Sequence, residues 1–176
     1  MAGVTSEPLT ALAFAARCNL NVEGNELDAL LQLHAQPTPT RVGINSVAYT
    51  AVAAICLWRL FALGRSHVVI PVPDAREGIS CICALRTIAS HATEDIRLRL
   101  LFRPDWGVIH RDNTAGPSCI EWVPYGWLDH RARKLEAPLT IAFWDFERAP
   151  GIAVHDALRL GWRSDDLIVL NHPHGV

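Results

Sequence analysis

Up to about residue 40 the apolar positions recur at helical spacing; beyond it, short continuous apolar runs alternate with helical stretches. Thr5, Ser6, Glu7 and Pro8 form a helix start with proline in the first turn, which predicts a helix to about Asn19. Asn25 is placed to cap a second helix with apolar positions at Leu27, Leu30, Leu31 and Leu33. Pro37 and Pro39 then break the pattern. Residues 46–63 read as a helix that is apolar almost all round, hence central and buried, and Gly64 ends it. Residues 67–72 are a continuous apolar strand of the kind buried within a parallel sheet. Asp74 caps a helix reaching about Ser90, and Thr93 caps another running through Leu101. Residues 106–110 and 118–123 form a strand pair about a turn at 112–117. A short helix over 127–135, a strand over 139–144, a helix over 150–160 and a last apolar strand over 166–171 follow. This alternation predicts an α/β fold: a mostly parallel sheet covered by helices, with a helical N-terminal arm. The arm spans residues 1–40 and the α/β core residues 41–176, in a single compact unit.

Half of the 176 residues are hydrophobic, enough for one core, and a charged fraction of 19 % argues against disorder. The net charge of −2 gives no whole-chain field that would draw in nucleic acid. Lys134 is the only lysine, so chemistry that needs one has a single candidate. Five cysteines, an odd number, without a basic and then apolar leader argue against a secreted disulfide framework. Cys81 and Cys83 lie two apart on a helix and point to different faces, as buried structural thiols would. The most apolar stretch, 47–57, is too short to cross a bilayer. The expectation is a cytoplasmic protein without membrane contact.

Two segments bracket the α/β region and resemble one family. Residues 41–51, running into the Ala-rich stretch 53–58 that ends Leu57-Trp58, resemble the nucleotide loop and following helix of phage terminase large subunits, the DNA-packaging motors. Residues 166–176 resemble that family's acidic motif, an apolar strand followed by Asp-Glu-Ala, and Val68 to Pro73 resemble the strand after the loop helix. The resemblance implies a P-loop NTPase-like core, in which loop glycines, a lysine and a Ser or Thr hydroxyl hold phosphates and Mg²⁺. Within the matched loop, which includes Gly43, Asn45 and Val47 stand where glycines are expected. Ala48 stands at the lysine position, Tyr49 at that of the Mg²⁺ hydroxyl, and Thr50 falls one place late. Asn171 and His172 replace the acidic pair. The resemblance therefore implies a degenerate, truncated relative with no catalytic residues and no bound cofactor.

Other constellations carry alternative readings. Asp105, His110, Asp112 and Glu121 offer carboxylates and an imidazole for a small Mg²⁺-dependent nuclease or hydrolase, although Asp112 and Asn113 also suit a hairpin turn. Arg97, Arg99, Arg103 and Arg111, and separately Arg131 and Arg133, could form basic faces for a nucleic-acid-binding accessory module. His172 and His174 have the spacing to share a metal, but no further ligand stands out, and no metal is assigned. Among six tryptophans, the run 121–127 places Trp122, Tyr125 and Trp127 close together as a candidate interface. The leading expectation is a catalytically inactive ATPase-like binding or regulatory protein, encoded by a phage or mobile element. It would act through contacts with a protein partner, self-association included, on a packaging or other nucleic-acid-processing machine. Nucleic acid is the less favoured partner.

Overall fold

A computed structural model describes residues 9–35, 40–111, 117–136, 138–160 and 165–175. Its strands are β1 (Thr40–Ile44), β2 (His67–Val72), β3 (Leu100–Arg103), β4 (Gly107–His110), β5 (Ser118–Pro124), β6 (Leu139–Phe143) and β7 (Leu167–Asn171). Its helices are α1 (Ala11–Arg17), α2 (Gly24–Ala35), α3 (Thr50–Ala62), α4 (Ala75–Ser90), α5 (Glu94–Arg99), α6 (Leu128–Ala132) and α7 (Gly151–Arg159). All these strands join one sheet in the order β1-β7-β6-β2-β5-β4-β3. β1, β7, β6, β2 and β5 run parallel, and β4 and β3 extend the sheet antiparallel. The mostly parallel α/β architecture expected from the alternating pattern is the one observed.

Both faces of the sheet are buried, which is why β2 is apolar after His67 and β6 is apolar except at Thr140. Val68, Ile70 and Val72 of β2 join α1, α3 and α4 in one core, while Val69 turns to the other. Leu139, Ile141 and Phe143 of β6 pack on that second face with Ala153 and Ala157 of α7 and Leu128 of α6. α3 is enclosed almost completely, from Ala51 to Leu57 and again at Leu60. Each fully buried large apolar side chain contributes roughly 1.5–3 kcal/mol. Arg59 is the polar exception on this helix. It donates from Nε to Thr140 Oγ1 at 2.8 Å and from Nη2 to the Asp165 carbonyl, tying α3 to β6 and to the start of β7. Burial lowers its guanidinium to about 10, and the charges of Asp165 and Asp166 oppose that shift. The arm belongs to the same core, since Phe14, Ala15 and Leu30 are buried in it and the Trp58 indole donates to the Leu9 carbonyl at 2.7 Å.

Several boundaries differ from the sequence expectation. α1 begins at Ala11, because Thr10 stands directly before the apolar run and its hydroxyl accepts from Ala13 N at 3.0 Å; residues 5–8 lie outside the described residues. α3 begins at Thr50 instead of Ser46, since the four preceding residues turn the chain out of β1. The helix expected through Leu101 stops at Arg99, and Leu100–Arg103 pair with β4, so tertiary pairing overrides a helix-compatible sequence. Thr93 does not cap with its side chain; its hydroxyl donates to Asp95 Oδ1. Cys81 is buried but Cys83 is exposed, so only the first is a structural thiol. Among the described residues, no helix is long and apolar enough to cross a membrane.

Candidate functional site

β1 ends at Ile44 and α3 starts at Thr50, so residues 45–49 form a short strand-to-helix loop. Tyr49 closes it with φ 56°, a left-handed conformation uncommon for a bulky side chain. Its N–H donates back to the Ser46 carbonyl at 3.0 Å. The loop is held from two sides by other parts of the chain. From α2, the Asn25 Oδ1 accepts from Asn45 N at 2.5 Å, and Glu26 accepts from the Thr50 hydroxyl at 3.3 Å. Asn25 therefore does not cap its helix; it lies inside α2 and bonds the loop. From the end of β7, the fully buried Asn171 accepts from Ser46 N at 3.0 Å and donates to the Trp144 carbonyl at 2.8 Å. The Ser46 hydroxyl is buried with no partner among the described residues. Val47 is 72 % exposed and Ala48 faces solvent beside it. Gly43 lies within β1, where an added Cβ would meet nothing, so no close approach requires glycine there.

Beside the loop lies a cleft of about 100 Å³, walled by Tyr49, Pro73, Glu77, Tyr125, Trp144 and Asp145, with Arg148 at its margin. It opens beyond the carboxyl ends of β2, β5 and β6. The chain places β5 on one side of β2 and β6 on the other, and such switch points of parallel sheets are where ligands bind. The Tyr49 and Trp144 rings stack 5.2 Å apart at 8°. Burial raises the Tyr49 phenol above its ordinary value, and the charges of Asp145 and Glu77 add to the shift. The Tyr125 phenol is raised in the same way, by burial first and then by Asp145. Arg148 Nη1 stands 3.7 Å from Glu77 and 4.0 Å from Asp145, too far for hydrogen bonds.

Asn171 and His172 do not line this cleft. His172 is used by its backbone N–H, which donates to the Ile44 carbonyl at 2.8 Å, and its ring meets Phe146 edge-on at 5.0 Å. The acid that reaches the cleft is Asp145, in the segment Trp144-Asp145-Phe146-Glu147 directly after β6. Sequence reasoning passed over it. The signal was present as an apolar strand, 139–143, followed closely by a carboxylate.

The alternative hydrolase set is not assembled. Glu121 pairs across from Gly107 and His110 from Ser118, which places their side chains on opposite faces of the sheet. Glu121 is buried and accepts from Arg131 Nε at 2.6 Å, His110 packs on Phe61 at 4.4 Å, and Asp105 lies in the β3–β4 turn. Asp112 lies outside the described residues. Among the described residues no group of three or more His, Cys, Asp or Glu side chains could hold a metal ion. The aromatic trio also divides: Trp122 packs beneath Gly78 of α4, Tyr125 lines the cleft, and Trp127 is 62 % exposed. Arg131 and Arg133 are paired with Glu121 and Asp129, whereas Arg97, Arg99, Arg103 and Arg111 are exposed around the β3 edge.

A parallel sheet, a strand–loop–helix at its edge and a cleft at the strand ends define an α/β domain of P-loop-like fold. Solved structures place that fold more narrowly, with the ATPase domain of phage large terminases. The HK97 bacteriophage large terminase superposes with a TM-score of 0.59 at 8 % identity, over 87 % of this chain and 33 % of that one. The Thermus phage P74-26 large terminase ATPase domain gives 0.55 at 15 % identity, over 89 % of this chain and 67 % of that one. An arginine-to-alanine variant of that domain gives 0.54 at 14 %, over 89 % and 68 %. The chain thus spans about a third of the length of the HK97 protein. No protein-family profile matches the chain, and no curated protein is detectably similar in sequence.

Proposed function

We propose that this chain is an ATPase-fold domain that does not hydrolyse nucleotide and acts by binding a protein partner. The observation that carries this reading is the occupation of the loop by its own protein. In a phosphate-binding loop, backbone N–H groups point at the anion. Here the N–H of Asn45 is taken by Asn25 and that of Ser46 by Asn171. The residues present do not fit Mg²⁺-nucleotide in other respects too: Ala48 brings no cation to the loop, and the Tyr49 ring, stacked on Trp144, brings no aliphatic hydroxyl. Asp145 and Glu77 are the carboxylates that line the cleft, and they do not replace the missing lysine and hydroxyl. The terminase-like fold suggests that the partner belongs to a packaging or other nucleic-acid-processing machine. The exposed arginines around β3 support nucleic-acid contact as a second reading, which predicts binding that weakens steeply with salt.

The test is phosphate release from ATP with Mg²⁺ or Mn²⁺, alongside a titration with a fluorescent ATP analogue. No turnover above the blank and no saturable binding are expected. Metal-dependent hydrolysis that disappears in Asp145→Asn would overturn the reading.

A further inference from the structure

We propose that the cleft beyond β2, β5 and β6 is a receptor for a guanidinium group, an arginine side chain presented by a partner protein. This deepens the protein-binding reading by naming the chemistry that the cleft accepts. Three aromatic rings wall the site, those of Tyr49, Tyr125 and Trp144. Two carboxylates join them, Glu77 from α4 and Asp145 from the end of β6. Aromatic rings attract organic cations through their quadrupole, and carboxylates give a guanidinium its planar, paired hydrogen bonds. Arginine suits such a site better than lysine, because a flat, weakly hydrated cation can stack and bond at once.

The cleft already holds a sample of that chemistry, but loosely. Arg148 approaches both carboxylates at 3.7 and 4.0 Å, beyond hydrogen-bond reach, while 67 % of its side chain remains exposed. Asp145, by contrast, is only 16 % exposed. Asp145 Oδ1 accepts from the Arg148 backbone N–H at 3.3 Å, but among the described residues no side chain hydrogen-bonds either carboxylate. Two carboxylates thus face one poorly engaged cation, so the cleft carries net negative charge. An incoming arginine would displace Arg148 outward and take both carboxylates. Arg148 is then a competitor occupying the site until a partner arrives.

The probe is N-acetyl-arginine N-methylamide, titrated into the full chain and followed through the Trp144 indole resonance in NMR, assigned with Trp144→Phe. Its neutral isostere, N-acetyl-citrulline N-methylamide, serves as the control. A saturable shift with the arginine probe and none with the isostere is expected. Arg148→Ala is expected to tighten binding at least threefold by removing the competitor, and Asp145→Asn to weaken it at least fivefold. Glu77→Gln, on an accessible helix turn, provides a second loss variant if Asp145→Asn fails to fold. Equal response to both probes would overturn the proposal, as would weaker binding in Arg148→Ala. So would Mg²⁺ displacing the arginine probe at equal concentration, since the carboxylates would then form a metal site. ATP hydrolysis in the parallel assay would defeat the non-hydrolysing reading while leaving this one to stand on its own titration.

Discussion

The loop after β1 and the cleft beyond β2, β5 and β6 adjoin through the Tyr49–Trp144 stack, yet they dispose of their polar groups in opposite ways. In the loop, the N–H groups of Asn45 and Ser46 end on side-chain oxygens of Asn25 and Asn171, within the chain itself. In the cleft, the only side-chain cation near Glu77 and Asp145 among the described residues is Arg148, at 3.7 and 4.0 Å, while Asp145 also accepts from the Arg148 backbone N–H at 3.3 Å. A buried polar group that is paired stabilises the fold and is lost to ligands; one left poorly paired is available to them. The contrast teaches that two adjoining parts of one α/β fold can differ in this way, one spending its polar groups within the chain and the other leaving carboxylates loosely paired.

Asn171 is where the contrast breaks most sharply. It is wholly buried and links β7, the loop and the end of β6. Asn171→Ala leaves the Ser46 N–H and the Trp144 carbonyl without their partner, at a combined cost of about 3 kcal/mol. For a chain of this size that corresponds to a melting point roughly 10 °C lower. Thermal and urea denaturation read it directly. A change below a quarter of that would mean that the loop does not depend on Asn171.

The next effect concerns the residues at the implied lysine and hydroxyl positions. Replacing both, Ala48→Lys with Tyr49→Thr, removes the stack on Trp144, which costs about 1–2 kcal/mol including the lost ring burial. It is not expected to create ATP binding, because Asn25 and Asn171 still hold the loop. Saturable Mg²⁺-ATP binding by this double variant would place the block in two side chains and not in the closed backbone.

These residues also mark what the sequence could and could not convey. β2 was legible because a six-residue run buried on both faces has to be apolar, and Asp74 was legible because its side chain caps locally, accepting from Glu77 N at 3.0 Å. The start of α3 was not, since Val47 and Ala48 are compatible with a helix and nothing local announces the turn at Tyr49. β3 was hidden because Leu100–Arg103 become a strand only by pairing with β4. The same limit governs the site. Two apolar strands, β6 and β7, are each followed by polar residues, and only the sheet order decides which end meets the cleft. The acidic position was therefore sought at Asn171 and His172, while Asp145 reaches the cleft. Asn25 looked like a cap because its use, a bond to a residue twenty positions away, leaves no periodic trace.

Asn25→Ala tests the other clamp on the loop. Its bond to Asn45 N lies nearer solvent than those of Asn171, so water can replace it in part. A loss of about 1 kcal/mol is expected in chemical denaturation. Amide hydrogen exchange should rise at Asn45 and remain slow at Ser46, which is still held by Asn171. Equal acceleration at both would show that the two clamps act as one unit.

Ser46→Ala carries the smallest effect, and its sign is opposite. The Ser46 backbone is bonded to Asn171 at both its N–H and its carbonyl, but its hydroxyl is buried without a partner among the described residues. Alanine keeps the two backbone bonds and removes only that hydroxyl. A buried polar group without a hydrogen bond destabilises the folded state, so its removal should leave stability unchanged or raise it by up to about 1 kcal/mol. Urea denaturation of Ser46→Ala beside Asn171→Ala then separates the two halves of the argument. If Ser46→Ala instead destabilises as much as Asn25→Ala, the hydroxyl has a partner in solution, and the loop retains polar capacity that its backbone bonds do not account for.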